Sequence, residues 1–226
     1  MTEFLWLVPA LPLAGFIILA LTLGKLSHKA VACVGAGSIG LSALVAGLVA
    51  IAFIYSPPTG HAYTQALWTW MAVGGFKPAI AFYLDALSLT MMLVITFVGF
   101  FIHLYSTEFM AGEEGYSRFF AYMNLFVAFM LTLVLADNLL LLFLGWEGVG
   151  LCSYLLIGYW YREPSNGYAA RKAFIVTRIG DAAMTIGLLL LFTQLGTLNI
   201  QELMQRATEQ WLIGSGLAIA AAILLL

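Results

Sequence analysis

Six stretches of about 20 mostly apolar residues, the length needed to cross a hydrocarbon core about 30 Å thick, occupy residues 4–23, 30–54, 82–105, 119–136, 138–160 and 170–195. A seventh starts near Trp211 and reaches Leu226. At about 1.5 Å per residue it spans roughly 24 Å, short of a full crossing. Its closing Ile223, Leu224, Leu225 and Leu226 carry no stop signal, so a fragment of a longer protein is expected. The pattern predicts an all-α, polytopic transmembrane helix bundle of six full spans and part of a seventh. Composition agrees: 63% of the residues are apolar and 9% charged, whereas a soluble domain carries about a quarter charged residues.

The net charge of −2 and the lack of any Lys or Arg run exclude a nucleic-acid footprint. Lipid is the partner that composition implies. Cys33 and Cys152 lie in apolar runs with no metal or disulfide spacing, and both are expected to be small buried hydrophobes. The first apolar stretch follows Glu3 with no basic leader and no small-residue cleavage site, so it is expected to stay as a membrane helix rather than be removed as a signal peptide.

Retained positive charge in short loops sets orientation. Lys25, Lys29, Arg118, Arg162, Arg171 and Lys172 fall on one side and only Lys77 and Arg206 on the other, which predicts an external amino terminus. Residues 55–81 then form an external loop whose Tyr63, Trp68 and Trp70 suit an interfacial aromatic belt. Within it, residues 64–72 favour a strand and lead to Gly74 and Gly75, predicting a small hairpin on the membrane surface. Residues 200–210 read as a short amphipathic helix on the same face. Gly35, Gly37 and Gly40 carry the spacing of a dinucleotide-binding turn. No strand precedes them, however, and inside a span they read as small residues that let helices approach.

Three charges stand deep in apolar runs. Glu147 lies near the middle of the fifth stretch, where a charge costs about 2.5–3.5 kcal/mol on insertion scales. Burial disfavours a carboxylate and a nearby cation favours it, so the protonation of such a group follows its neighbours, as a proton carrier requires. Arg178 and Asp181, spaced i, i+3, share a face of the sixth stretch and neutralise each other. A plain ion pair holding helices in register is the competing reading for Arg178 and Asp181, and a protonated, hydrogen-bonded carboxyl is the competing reading for Glu147.

Other polar residues point to structure. Asp137 and Asn138 read as a solvated turn, Asp85 and His103 as headgroup-level residues near opposite ends of the third stretch, and Lys172 as a snorkelling cation that could feed protons toward Glu147. Glu108, Glu113, Glu114 and Arg118 read as a solvated loop.

The strings LWTW at 67–70, LDALSLTM at 84–91, GEEGYSRFF at 112–120, ADNLL at 136–140, the run 144–159, VTRIGD at 176–181 and LGTLN at 195–199 resemble the subunit L family of proton-pumping NADH:quinone oxidoreductase, respiratory complex I, whose members are antiporter-like. The resemblance weakens between 201 and 216. It implies a proton channel in which Glu147 is the fifth-helix glutamate, coupled to a lysine on a broken seventh helix beyond Leu226, with Arg178 and Asp181 as the charged pair beside it. It also implies about fourteen or more helices in two inverted repeats. Residues 1–105 would then be an amino-terminal three-helix segment and 106–226 the start of the channel repeat. The expected cofactors in this chain are none: flavin, iron–sulfur and NAD sites belong to other subunits. The implied partners are neighbouring membrane subunits, and the implied location is a bacterial inner membrane. The alternative is a subunit of a multisubunit cation/proton antiporter uncoupled from electron transfer, and a third reading is a purely structural assembly subunit.

Overall fold

Short polar side chains decide where several of the helices start. Ser27, Asp85, Asn138 and Asn199 each accept a hydrogen bond from the backbone N–H three residues on, at Ala30, Ser88, Leu141 and Glu202. Each thereby satisfies one of the donors that a helix leaves unpaired at its first turn. The computed structural model describes residues 1–22, 24–73, 76–212 and 214–225. Its helices are α1 (Leu7–Thr22), α2 (His28–Tyr55), α3 (Ala86–Phe109), α4 (Tyr116–Val134), α5 (Leu139–Ile157), α6 (Pro164–Leu195), α7 (Ile200–Gln210) and α8 (Gly216–Leu225). The first six, α1 extended by the turn at Thr2–Phe4, are long and apolar enough to cross a membrane. Helices suit that setting because lipid offers no partner to an unpaired backbone group.

Two boundaries differ from the sequence expectation for reasons of capping. The third span begins at Ala86 rather than 82, because Asp85 and Ser88 form a reciprocal capping box and Ala79–Leu84 joins a strand instead. The sixth begins at Pro164 rather than 170, since proline's missing N–H costs nothing in the first turn. It ends at Gly196, whose φ of 71° is left-handed and favours glycine. The partial seventh span is α8, which starts at Gly216, five residues after Trp211.

The expected hairpin is present with a different second strand. β1 (Tyr63–Thr69) pairs antiparallel with β2 (Ala79–Leu84), with an irregularity between Ala66 and Trp68. Val73 bridges Phe76, and Gly74 and Gly75 lie outside the described residues. The hairpin is stitched to the bundle: Tyr83 N–H donates to Leu135 O (2.7 Å) and Asp137 N–H to Ala81 O (3.1 Å). Leu139 N–H donates to Leu198 O (2.9 Å) and Ile200 N–H to Asp137 O (3.1 Å). One hydrogen-bonded band thus joins the hairpin, the α4–α5 turn and the α6–α7 linker at one end of the bundle.

Asp137 and Asn138 are therefore not a solvated turn. Asn138, 4% exposed, donates from Nδ2 to Ala79 O (2.8 Å) as well as capping α5, and Asn199 Nδ2 donates to Asp137 Oδ2 (2.6 Å). Burial pushes the Asp137 carboxyl above its usual range, against the opposing hydrogen bond from Asn199. His103 likewise faces the protein interior rather than headgroups. It is fully buried, with Nδ1 2.8 Å from Gly99 O and its ring beside Phe120. Cys152 is buried as expected but Cys33 is exposed on α2, a face whose apolar surroundings lipid supplies.

α4 packs on α1, α2, α3 and α5; α6 packs on α5 and α8. The α4–α5 contact depends on small residues. A Cβ on Gly145 would meet Leu133 Cα and N at 2.8 Å, and one on Gly148 would run into the Phe129 ring. Gly35 and Gly40 abut Phe120 and Phe100, whereas a Cβ on Gly37 would meet nothing within 4 Å. Gly145→Ala is expected to destabilise the full-length protein by about 1–3 kcal/mol through overpacking, read as a lower midpoint in detergent unfolding. Gly37→Ala is expected to leave that midpoint unchanged.

Candidate functional site

α5 and α6 run side by side in opposite directions, with Trp146 beside Asp181, Tyr154 beside Phe174 and Gly158 beside Ala170, and charge accumulates midway along the pair. Glu147 sits eight residues after Leu139 and ten before Ile157. The earlier start of α6 moves Arg178 and Asp181 to the centre of that 32-residue helix, deeper than the sequence limits implied. Arg178 Nη1 pairs with Glu147 Oε2. Its Nε stands 3.5 Å from Asp181 Oδ2, an ion-pair distance with no hydrogen bond formed. The three residues singled out from sequence thus converge on one site, with Arg178 shared between the two carboxyls.

Two aromatic residues complete it. Arg178 Cζ lies 4.3 Å from the centroid of Phe174, one turn back on α6, a cation–π contact that steadies the guanidinium. Trp146 Nε1 donates to Asp181 Oδ1 at 2.9 Å. Side-chain exposure is 8% for Asp181, 24% for Glu147 and 33% for Arg178. A Cβ on Gly150 would stand 3.6 Å from Arg178 Nη2, so that glycine leaves the guanidinium room. Sequence reasoning did not single out Trp146 or Phe174. The available signal was an indole N–H beside Glu147 in an apolar helix, because lipid offers an indole no acceptor and the N–H must find one in the protein.

The arrangement has a definite chemical capacity. Arginine stays protonated in proteins, so two ionised carboxyls leave the cluster one negative charge in excess. At mid-membrane depth that excess is costly. It is relieved by taking up one proton or by the approach of a second cation. Among the described residues, no group of three His, Cys, Asp or Glu could hold a metal ion.

The remaining charges lie at the two ends. Lys172 is exposed in the first half of α6. At the band end, Glu202 pairs with Arg206 at 2.5 Å and accepts from Thr197 Oγ1 at 2.6 Å. The Thr197 hydrogen bond, foremost, holds the Glu202 carboxyl below its usual range. At the opposite end, the acidic loop expected to be merely solvated is paired. Trp160 Nε1 donates to Glu113 Oε2 (2.9 Å), Arg162 pairs with Glu114 (2.7 Å), and Arg118 lies 5.0 Å from the ring centroids of Tyr159 and Tyr161.

Comparison with known proteins extends this picture. Residues 70–120 match the family model described as NADH-ubiquinone oxidoreductase (complex I), chain 5 N-terminus. Residues 136–226 match NADH:quinone oxidoreductase/Mrp antiporter, TM. The chain is 52% identical over 216 residues to NADH-quinone oxidoreductase subunit L of Escherichia coli, covering 96% of this chain and 35% of that protein. It is 58% identical over 200 residues to subunit L of Pseudomonas aeruginosa, covering 88% and 32%. The chain therefore spans about a third of the length of these relatives. Among solved structures, it resembles in fold a chain of the membrane-bound sulfane sulfur reductase, an archaeal respiratory membrane complex. There the TM-score is 0.79 at 21% identity, with coverage of 99% and 43%. A chain of the Mrp complex from a Dietzia species gives 0.75 at 24% identity, with coverage of 97% and 22%.

Removing the shared cation tests the cluster as a unit. Arg178→Ala is expected to cost about 3 kcal/mol, because it strands two carboxyls without a counter-charge. The loss is read as reduced membrane-assembled protein. Adding Glu147→Gln and Asp181→Asn to Arg178→Ala is expected to restore most of it.

Proposed function

This chain belongs to the subunit L family of antiporter-like membrane subunits, and from that membership we propose that the whole protein translocates protons as a subunit of a membrane NADH:quinone oxidoreductase. Quinone reduction elsewhere in the complex shifts the charge along an intramembrane chain that includes Glu147, Arg178 and Asp181. The observation that carries this reading is one guanidinium shared by two carboxyls midway along two neighbouring apolar helices. With two acids and one fixed cation, the cluster binds or releases a proton as Arg178 favours one carboxyl or the other. The energies are of matching size. Moving a charge against 100 mV costs about 2.3 kcal/mol, and each pKa unit of carboxyl stabilisation is about 1.36 kcal/mol.

The setting follows from the same reading. The protein lies in the inner membrane of a bacterium with its amino terminus and hairpin outside, supported by the loop charge asymmetry. Neighbouring membrane subunits are its partners, and the redox groups lie in other subunits. The second reading, a cation/proton antiporter subunit without electron transfer, is favoured by a matching family model that names both classes and by the fold shared with the Mrp complex. The subunit L names of relatives at 52% and 58% identity support the first.

Glu147→Gln in the full-length subunit is expected to lower the protons pumped per NADH oxidised in membrane vesicles, with the complex still assembled. An unchanged proton yield overturns the role given to Glu147. A strain lacking the gene that keeps NADH-driven pumping but fails to grow at high sodium and alkaline pH favours the antiporter instead.

A further inference from the structure

Arg178 has two acidic neighbours and serves them unequally. Its Nη1 is committed to Glu147 Oε2, while Nε reaches only to 3.5 Å from Asp181 Oδ2 and forms no hydrogen bond there. Asp181 is nevertheless the more buried of the two acids, at 8% against 24% for Glu147. A carboxylate so placed needs donors, and the side-chain donor that hydrogen-bonds it is the Trp146 indole N–H, 2.9 Å from Oδ1. The charged groups facing Asp181 are Arg178 on its own helix and Glu147 on α5. α8, also packed on α6, carries no charge, and on α7 Glu202 and Arg206 are paired with each other beyond the end of α6.

Trp146 is also the chain neighbour of Glu147. One residue of α5 therefore sends a donor to Asp181 and the next sends a carboxylate to Arg178, so the same turn of helix sets both ends of the Arg178 choice. Indole suits the task. It donates but cannot accept or titrate, and its ring fixes the direction of the N–H.

We infer that Trp146 is a positioning residue whose indole N–H stands in for Arg178 at Asp181, holding that carboxylate charged and oriented while the guanidinium is committed to Glu147. Without the stand-in, Asp181 takes up a proton, which removes the second negative charge beside Arg178 and so resets the acid on α5. The consequence for pumping rests on the proton-translocation reading; the effect on Asp181 itself does not.

The test uses the full-length subunit in its assembled complex. W146F keeps an aromatic ring and removes the donor. Infrared difference spectra, with the band assigned by its loss in D181N, are expected to show the protonated fraction of Asp181 rising roughly tenfold at neutral pH, the scale of one hydrogen bond to a charged group. Proton yield per electron is expected to fall in W146F and to fall no further when W146F is added to D181N. An unchanged carboxyl band, or pumping losses that add in full, overturns the inference. Should W146F fail to assemble, benzothienylalanine at position 146, which keeps the indole shape and puts sulfur in place of N–H, gives the same readout with the same criteria. An unchanged band in W146F with lost pumping in Glu147→Gln refutes this inference alone. A changed band with unaltered pumping in Glu147→Gln refutes the proton-translocation reading alone.

Discussion

A guanidinium in a low-dielectric interior cannot give up its proton, so everything placed around it must answer its charge. Arg178 is answered twice, by Glu147 on α5 and Asp181 on α6, and with both acids ionised the cluster carries one negative charge in excess. A single carboxyl would neutralise the arginine and rest. With two, the charge balances only when a proton or a further cation joins the cluster.

Holding that surplus at mid-membrane requires α5 to serve two neighbours at once. Gly145, Gly148 and Cys152, all buried, turn one stripe of small side chains toward α4, so the helices approach to backbone contact. Trp146 and Glu147 reach the other way, to α6, and Gly150 on that side leaves space beside Arg178. The packing face and the chemical face are interleaved residue by residue within one turn. A substitution meant to disturb packing at 145 therefore also shifts the helix that carries the acid at 147.

Much of this was legible in the sequence because charge in an apolar run is an anomaly on its own line of text. Glu147, Arg178 and Asp181 announced themselves by composition and by i, i+3 spacing, and the helices by length. Asp137, Asn138, His103 and Trp146 were not legible in the same way. Asp137 and Asn138 look like any polar turn until Ala79 and Asn199, each about 60 residues away, supply their partners. His103 stands near a helix end in sequence but beneath Phe120 in space. Trp146 passes as one more apolar residue until an acceptor from α6 meets its N–H. The start of α3 was obscured because AIAFYL at 79–84 is as apolar as a helix and only the capping box at Asp85 and Ser88 ends its claim.

The ends of α5 and α6 constrain how the centre can change. At one end, Asn138 and Leu139 tie α5 to the hairpin and to Leu198, and Arg206 Nη1 donates to Leu195 O at 2.6 Å to close α6. At the other, Tyr159 Oη donates to Glu114 O at 3.0 Å, and Trp160 and Arg162 engage Glu113 and Glu114. Sliding either helix would break several of these bonds together, each worth about 1 kcal/mol. A rotamer change in Arg178 breaks one ion pair and nearly completes another. With Asp181 held by Trp146 and the guanidinium resting on Phe174, the long side chain of Arg178 is the part of the site that can move at least cost, and the helices are the frame it moves against.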